Sequence, residues 1–485
     1  MWDARKKIME NVFTPQQGII ALATYGLIML CLALWSKYKH QQDRVEFLLA
    51  GRKVGVIFGA MSAAVSWVWA PALFVGSQKA YEQGVAGLFS FTFPNFFALI
   101  LFSFIALKAR KIFPNGFTLP QFMKEKYDKK THILYLIQFV GLQACSFSIQ
   151  LLAGSTLISI LTGLSFPVVG ISLIIIALTY SLIGGLRASI LTDVLQMTLI
   201  LLVIGTVVPL AVNNAGGFEK IIGGLAGFKG VGGNFLDPWI LYSFGIPAAI
   251  TLLTGPVADQ MHWQRAYSLR SDKNVIRTFT LAACLFISVP LSLSILGFLA
   301  ANPEVSANWN ITNPQMVGPI TVANLLPDFM LLAFAIMLLS GLCSTLDSIL
   351  CAVSSLTAID IFNEHKRTER HKGQKVFLAR IGMFGVALIG LMMILIPNVN
   401  IIHLWFFATT FRAPSFVPTI LTMFWKPMSS NVVFWSILIG FLIGGPTYVV
   451  GAVTQNAHLI VAGSMLPIII SGLICFFSHH KTASV

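Results

Sequence analysis

Charged residues are scarce in this sequence. Asp, Glu, Lys and Arg make up 10% of its 485 residues, whereas an average soluble domain carries about 25%. Long polar stretches are also missing, and the longest are the segments 108–130 and 363–375. Stretches this short leave no room for a soluble catalytic module within the chain.

Cysteine is sparse as well, and its placement argues against two kinds of site. All six cysteines fall inside apolar runs without a CxxC pair, and the nine histidines are scattered. This pattern is typical of small buried side chains, and neither a disulfide framework nor a transition-metal site is expected. Because no nucleophile–base pair stands out within the apolar runs, an enzyme is the least favoured interpretation and no organic cofactor is expected.

Apolar residues are abundant: they make up 56% of the chain, and the mean hydropathy is +0.81. Runs of 18 or more recur, and each is long enough to cross a bilayer as a helix. The first run is too long for a signal peptide. We predict an all-α polytopic membrane protein with about thirteen spans, at 15–37, 54–79, 84–108, 131–161, 166–184, 188–213, 238–261, 275–301, 328–361, 376–397, 400–425, 431–453 and 457–478.

The net charge of +14 is explained by the positions of the basic residues. Most Lys and Arg residues fall on alternate loops, which predicts an N-terminus outside and a C-terminus in the cytoplasm of a cell-membrane protein. The excess charge therefore indicates a membrane orientation and not a nucleic-acid partner. The Gly-rich outer segment 213–234 is expected to carry a short interfacial helix. The expected partners are the bilayer and a small-molecule solute, without an obligate protein partner.

Two predicted spans are interrupted by helix breakers and lie five spans apart. The breakers are Gly55, Gly59, Pro71 and Gly76 in span 54–79, and Gly245, Pro247, Gly255 and Pro256 in span 238–261. Broken helices at corresponding positions indicate an inverted-repeat transporter, although Gly and Pro are common in membrane helices generally. The prediction is a single membrane domain, 1–485. It contains a first repeat at 54–213, an inverted second repeat at 238–425, an extra N-terminal helix at 15–37 and two extra C-terminal helices at 431–478.

Several motifs carry a family resemblance. They are AGRKVG (50–55), TLPQFMKEKY (118–127), GGLRASILTDVLQ (184–196), DQMHWQRAYS (259–268) and CSTLDSILCAVSSLTAIDIF (343–362). With these motifs in order, the chain resembles the sodium:solute symporter family over nearly its whole length. A WxWA pair at 67–70 followed by AYEQGVAG leans towards the urea-transporter branch of that family.

The resemblance implies a Na⁺ site. Its ligands would be the Gly341 carbonyl, the Ser344 and Thr345 hydroxyls, and carbonyls near Val65 and Val68. The alignment of the broken span is uncertain by one residue, so Ser66 and Trp69 are the alternative carbonyls. Membrane hydroxyls also bond back to their own helix, which is the competing interpretation.

By the same resemblance, three further residues match positions that hold a second cation or assist coupling in some members of the family. They are Asp193, Asp347 and Ser348. Asp347 is an ionisable residue within a predicted span, which by itself indicates a functional role. Asp193 follows Thr192 at the predicted start of a span, so a capping role is equally open.

The stretch SWVWAP (66–71) is predicted to unwind near Ala70–Pro71 and to line the solute site through part of its surface. Tryptophan offers a flat apolar wall and one N–H donor, which suits a small planar polar solute. We expect Trp69 on the solute side and Trp67 packed against the scaffold. The candidate solute-binding or gate residues are Ser66, Trp67, Trp69, Trp405, Phe406 and Arg412.

Together these features predict a Na⁺-coupled symporter that imports a small polar solute by alternating access, with urea or a urea-like solute favoured. A carboxylate-bearing solute, such as an amino acid, remains open because of Arg412, and so does proton coupling. A passive channel and a solute sensor are the alternatives from other classes.

Overall fold

A computed structural model describes residues 12–39, 43–362, 372–396, 401–425 and 428–483. Helices account for nearly all of the regular structure in these ranges. They are α1 (Pro15–Lys39), α2 (Arg44–Leu49), α3 (Val56–Trp67), α4 (Gly76–Ile112), α5 (Leu119–Lys126), α6 (Lys129–Thr162), α7 (Phe166–Asn214), α8 (Phe218–Gly224), α9 (Pro238–Ile240), α10 (Ile246–Ala258), α11 (Gln260–Ser268), α12 (Lys273–Ala301), α13 (Pro303–Ser306), α14 (Val317–Leu325), α15 (Asp328–Leu356), α16 (Lys372–Ile394), α17 (Ile401–Phe424), α18 (Ser430–Val453) and α19 (Ala457–Ala483). Wider π-helical turns occupy Pro71–Val75, Leu241–Gly245 and Thr357–Ile361.

Within the described residues, ten helical segments are long and apolar enough to cross a membrane. They are Pro15–Lys39, Pro71–Ile112, Lys129–Thr162, Phe166–Asn214, Pro238–Ala258, Lys273–Ala301, Asp328–Ile361, Val376–Ile394, Ser430–Val453 and Ala457–Ser478. The chain is therefore a multi-pass membrane protein. The count of thirteen separate spans is not confirmed.

The difference arises chiefly where predicted spans join. Spans 166–184 and 188–213 are two helices that meet directly at a kink at Gly185 (φ 55°, ψ −150°), so that together they make up the continuous segment α7. The end of span 54–79 likewise continues into α4, which bends at Gly84 (φ 58°, ψ −147°). This backbone region is open almost only to glycine, so the helix direction changes there without a loop.

One further predicted span, 400–425, and the first half of span 54–79 are helical but fall outside the ten. The first half of span 54–79 is the short helix α3, and α17 carries the buried Arg412 together with Pro414 and Pro418. The repeat boundaries at 54–213 and 238–425 remain a prediction.

The centre of the molecule is formed by three continuously buried stretches, at 62–81, 254–269 and 337–360. The first two contain the interrupted segments, and the third is most of α15. Helices α3 and α11 pack against α15 and against each other. Irregular backbone at membrane depth is tolerated where other parts of the protein surround it. Because of this packing, the two interrupted segments are enclosed by protein.

The loop that follows α8 covers the bend at Gly84. The predicted short helix in the Gly-rich segment is present as α8, and the loop after it docks by backbone hydrogen bonds. Val85 N–H donates to the Leu225 carbonyl at 2.9 Å, and Phe228 N–H donates to the Tyr81 carbonyl at 2.6 Å. The rings of Tyr81 and Phe228 stack at 5.3 Å. The loop is therefore fixed to the first part of α4, around its bend at Gly84.

Candidate functional site at the broken helices

The first interruption lies at Val68 and Trp69. Helix α3 ends at Trp67, and Val68 leaves the helical conformation (φ −81°, ψ 66°). Pro71 has no N–H and so removes the donor that the Trp67 carbonyl would use in a helix. The predicted unwinding near Ala70–Pro71 was therefore placed slightly too late, because the missing bond affects the residues before the proline. The Ala70 N–H donates to Gln150 Oε1 at 2.8 Å, which holds the break against α6.

The second interruption is at Asp259, between α10 and α11, where the backbone is extended (φ −111°, ψ 117°). Its carboxylate accepts hydrogen bonds from the Met261 N–H and from Gln143 Nε2, both at 2.9 Å. Asp259 thus caps α11. It was not among the predicted site residues.

Three of the predicted cation ligands meet where α15 passes the first break. A Cβ built on Gly341 would lie 3.1 Å from the Val68 carbonyl oxygen, so this carbonyl faces Gly341 closely. The Thr345 hydroxyl donates to the Gly341 carbonyl at 3.1 Å, which is the bond back to its own helix that competes with a role as cation ligand. Ser344, on the same helix, donates to Asp193 Oδ1 at 2.5 Å. Carbonyl and hydroxyl oxygens of this kind are what Na⁺ binds in broken-helix transporters.

The hydrogen bonds distinguish the two candidates for the second carbonyl, Val68 and Trp69, but do not favour Val65 over Ser66 for the first. The Trp69 carbonyl accepts from the N–H groups of Ala72 (2.9 Å) and Leu73 (3.2 Å), whereas a regular helix would pair Ala72 with Val68. The Val68 carbonyl is thereby released from helical pairing. The Val65 carbonyl accepts from the Val68 N–H at 3.0 Å. This pattern favours Val68 over Trp69 as a ligand.

The residues predicted for a second cation form part of a buried charged cluster. Asp193 lies inside α7, well past the bend at Gly185, so it does not cap a helix. Its Oδ2 accepts from Ser62 Oγ at 2.5 Å and from Arg265 Nη2 at 2.9 Å. The same Nη2 donates to Ser348 Oγ at 2.6 Å. Arg265 was not predicted as a site residue.

Asp347 is linked to Arg265 through Ser348, whose hydroxyl contacts both side chains. Its carboxylate accepts from Ser189 Oγ at 2.8 Å, from Ser348 Oγ at 3.2 Å and from Thr192 Oγ1 at 3.3 Å. The Asp193 and Asp347 side chains are fully buried, and Arg265 is 2% exposed. Two carboxylates and one guanidinium therefore share one water-excluded region.

The predicted solute residues form an aromatic cluster next to the first break. Trp67 and Trp69 stack with their centroids 5.5 Å apart and their planes inclined by 21°. Trp405 meets the edge of Trp69 at 5.9 Å, and Phe406 stacks on Trp405 at 4.8 Å. Because the helix is broken between them, the two tryptophans face each other, which a regular helix would prevent.

Ser66 and Arg412 complete the predicted set. The Ser66 hydroxyl donates to the Ala63 carbonyl at 3.1 Å, within its own helix, so it does not join the aromatic cluster through this group. Arg412 does join it, with Cζ 5.1 Å above the Trp69 ring. Its guanidinium donates a long hydrogen bond to the Thr251 carbonyl at 3.4 Å, and the charge of Asp259 acts on it.

Around this cluster, several buried polar atoms have no hydrogen-bond partner within the described part of the chain. They are Nε1 of Trp67, Trp69 and Trp405, Nε of Arg412, Oδ2 of Asp259, Oε1 of Gln143 and both ring nitrogens of His262. Leaving a buried donor or acceptor unpaired costs about 1–3 kcal/mol. Such a concentration of unpaired groups indicates a place where a solute or water completes the hydrogen bonds.

His262 packs against the edge of Trp67 at 4.9 Å. It belongs, with Asp259 and Arg265, to the motif at 259–268 that carried the family resemblance. A sequence signal for these three residues existed, because ionisable side chains directly follow an apolar broken span. The residues that they contact lie far away in the sequence, so no local sequence pattern could predict those contacts.

A model of the sodium:solute symporter family matches residues 47–440. The chain is 25% identical over 391 residues to a urea active transporter of Saccharomyces cerevisiae, covering 75% of this chain and 53% of that protein. It thus spans about half the length of this relative. It is 20% identical over 502 residues to a urea-proton symporter of Oryza sativa subsp. japonica, covering 94% of this chain and 69% of that protein. Its fold is similar to that of a Na⁺-coupled sialic acid symporter solved in a substrate-bound, outward-open state, with a TM-score of 0.78, 15% identity and coverage of 95% and 97% of the two chains.

Proposed function

Because the chain belongs to the sodium:solute symporter family, we propose that it imports urea or a urea-like neutral solute together with Na⁺, by alternating access in the cell membrane. The N-terminus would lie outside and the C-terminus in the cytoplasm, in keeping with the distribution of Lys and Arg. The segments 54–213 and 238–425 would be the two inverted repeats that move around the site.

One observation carries the choice of solute: unpaired donors and acceptors occur together beside the flat tryptophan faces. The Nε atoms of Arg412 and of the tryptophans need an acceptor, and Oδ2 of Asp259 and Oε1 of Gln143 need donors. Urea is planar and carries one carbonyl acceptor and four N–H donors. A solute of this kind would pair with both sets while its plane lies against an indole face.

Charge supports the same choice. Arg412 contributes one positive charge and Asp259 one negative charge, and each acts on the other. A neutral solute leaves this balance unchanged, whereas a simple anion would add a buried negative charge near Asp259, which is unfavourable.

A carboxylate-bearing solute with an amino group is the second candidate. Within the described ranges, the ion pairs of the protein all involve residues other than Arg412. A zwitterionic amino acid would place its carboxylate on Arg412 and its ammonium on Asp259. Unlike urea, this candidate requires that the Arg412 guanidinium and the Asp259 carboxylate both be charged when it binds.

For the cation, we place Na⁺ among the carbonyls of Val65, Val68 and Gly341 and the hydroxyls of Ser344 and Thr345. Val68 lies between Trp67 and Trp69 in the chain, and its carbonyl faces α15. Bound Na⁺ would hold Val68 to α15 and thereby fix the spacing of the two indoles. Binding of cation and solute would then favour the same geometry, which is the condition for coupling.

Uptake of labelled urea into proteoliposomes tests the proposal. We expect accumulation above equilibrium under an inward Na⁺ gradient, and competition by urea analogues more strongly than by amino acids. A passive channel would equilibrate urea without accumulating it, and a sensor would give no flux. Accumulation driven by a proton gradient and indifferent to Na⁺ would replace Na⁺ with H⁺ as the coupling ion.

A further inference from the structure

A cavity of about 350 Å³ lies where α1 and α3 both pack against α7. All three parts of the chain contribute to its lining: Trp35 and Lys39 from α1, Lys53 and Gly55 from the segment before α3, and Arg187 from α7. None of these residues belongs to the proposed cation or solute site. We call this space the basic cavity, and the chemistry of its lining indicates which ligand it could hold.

Three cations line the basic cavity, and one of them has a counter-charge. Arg187 donates to the Glu46 carboxylate through Nε at 2.5 Å and through Nη2 at 3.2 Å, and Nη2 also donates to the Ala50 carbonyl at 2.6 Å. In the described part of the chain, the ion pairs do not include Lys39 or Lys53. The two ammonium groups therefore give the cavity an excess of positive charge, which an anionic ligand would balance.

The first turn of α3 adds backbone donors to these side chains. Gly55, directly before the helix, is exposed, and α3 has no side-chain cap among the described residues. The first N–H groups of a helix have no partner within the helix and attract anions. Because Gly55 and Phe58 both line the cavity, this end of α3 lies at its wall. Lysines together with free N–H groups are typical of phosphate sites.

The remainder of the lining is apolar. Trp35 and Phe58 are each 50% exposed, and Ile190 and Leu191 continue the wall on α7. The Lys39 ammonium lies 4.2 Å from the centroid of the Trp35 ring, and tryptophan with lysine is common at the boundary between lipid and water. A basic rim above an apolar wall suits a ligand with an anionic head and an apolar tail.

We propose that the basic cavity binds an anionic glycerophospholipid. Its phosphate would lie between Lys39, Lys53 and the start of α3, and one acyl chain would run along Phe58 and Ile190. Basic pockets between membrane helices on the cytoplasmic side bind phospholipid head groups in this way. The placement in the inner leaflet rests on the orientation proposed above, which puts this end of α1 in the cytoplasm.

The segment that carries Lys53 is fixed before any ligand binds. The Val54 N–H donates to the Ser268 carbonyl at 3.1 Å, and the Arg270 N–H donates to the Val54 carbonyl at 3.0 Å. A preorganised site loses less conformational entropy on binding. A lipid held there would fill the space between α1 and α3 and so connect the extra N-terminal helix to the first broken helix.

Native mass spectrometry of the delipidated full-length protein in detergent tests the proposal. The probes are phosphatidylglycerol and phosphatidylcholine with the same acyl chains, and we expect phosphatidylglycerol to bind more tightly. Lys39→Gln, Lys53→Gln should weaken its binding by about fivefold for each lysine lost. Lys39→Arg, Lys53→Arg should retain it, because both charges remain. The matched control is Lys111→Gln, Lys130→Gln, which removes two exposed lysines of the segment 108–130 and should bind the lipid as the wild type does.

Four results would overturn the lipid site. They are equal affinity for the two lipids, unchanged phosphatidylglycerol binding in Lys39→Gln, Lys53→Gln, an equal loss in the control variant, and displacement of the lipid by the same concentration of inorganic phosphate. The last result would show a site for free phosphate. None of these measurements depends on transport, so each leaves the proposed symport intact. Conversely, absence of urea uptake with intact lipid binding would overturn the proposed function alone.

The leaflet is tested separately, with a membrane-impermeant thiol reagent on sealed cells that express Lys53→Cys. We expect no labelling beyond that of the unsubstituted protein, because position 53 would face the cytoplasm. Labelling of Lys53→Cys from outside would overturn the inner-leaflet placement together with the proposed orientation.

Discussion

Ser344 donates its hydroxyl proton to Asp193 across 2.5 Å, from α15 to α7. The two residues are 151 positions apart in the chain, and both are fully buried. This contact joins the proposed Na⁺ ligands to the charged cluster, so that changes on either side are expected to reach the other.

Ser344→Ala and Thr345→Ala should each raise the Na⁺ concentration for half-maximal uptake by about tenfold, which corresponds to a loss of ~1.4 kcal/mol. Each change removes one oxygen ligand. Sodium titration of uptake, at matched protein amounts, measures the effect. Ser354→Ala is the control, since this buried hydroxyl donates to the Cys351 carbonyl in the same helix at 2.6 Å. Unchanged Na⁺ dependence in both variants would remove the assignment.

Gly341→Ala should weaken Na⁺ binding by several-fold while leaving the fold intact. The new methyl would lie 3.1 Å from the Val68 carbonyl oxygen and 2.9 Å from Leu73 Cδ1. It would therefore displace the Val68 carbonyl from α15. Gly385→Ala is the matched control, because no atom lies within 4 Å of the Cβ built there. Equal Na⁺ affinity in the two variants would show that Val68 is not a ligand.

The two tryptophans of the first break should differ in effect. Trp69→Ala should lower solute affinity, because Trp69 lies beneath Arg412. Trp67→Ala should mainly lower stability, by about 3–5 kcal/mol. Its ring packs against His262, and a Cβ built on Gly255 would lie only 2.6 Å from its Cη2 atom. Solute affinity and thermal unfolding of both variants decide between these roles, and equal affinity losses would refute the asymmetry.

Arg412→Gln and Asp259→Asn distinguish the two classes of solute. For a neutral solute, each variant loses one hydrogen-bonding partner, and affinity should fall in both by about ten- to a hundredfold, corresponding to ~1.5–3 kcal/mol for bonds to charged groups. For a zwitterionic amino acid, each variant leaves one charge of the solute buried without its partner, so affinity should fall further in both, by about 2–5 kcal/mol. Competition assays with urea and with a carboxylate-bearing analogue measure both affinities.

Gly84→Ala should destabilise the protein by more than about 1–3 kcal/mol, the usual cost of a strained backbone conformation. Gly84 has φ 58°, and an added Cβ would lie 2.3 Å from the Leu225 carbonyl oxygen. Gly205→Ala is the control, since it lies within α7 and no atom within 4 Å of its Cβ position obstructs it. That control should be neutral or stabilising by up to ~1 kcal/mol. A thermal unfolding series in detergent compares the two, and equal stability would contradict the docking of the outer loop.

Hydropathy located most helices because each membrane crossing needs a long apolar run. It also placed a boundary between 184 and 188, and two helices do meet there, at the kink of Gly185. Hydropathy does not show that these helices join directly, because a glycine that bends a helix and a glycine that begins a loop look alike in sequence. The predicted second-cation residues Asp193 and Ser348 do lie together, but Arg265 between them was missed. Its contacts with Ser62, Asp193 and Ser348 span 203, 72 and 83 positions, and no local pattern encodes such distances.

The docking of the outer loop on the bend at Gly84 has a practical consequence. Because Val85 and Phe228 bind the loop and the helix to each other through backbone atoms, the loop should travel with the outer part of the first broken span. Lys229 is exposed on this loop, next to Phe228. With the orientation proposed above, a fluorophore attached at Lys229→Cys would therefore report the tilt of that span from outside the cell, in real time, without altering any residue proposed to bind cation or solute.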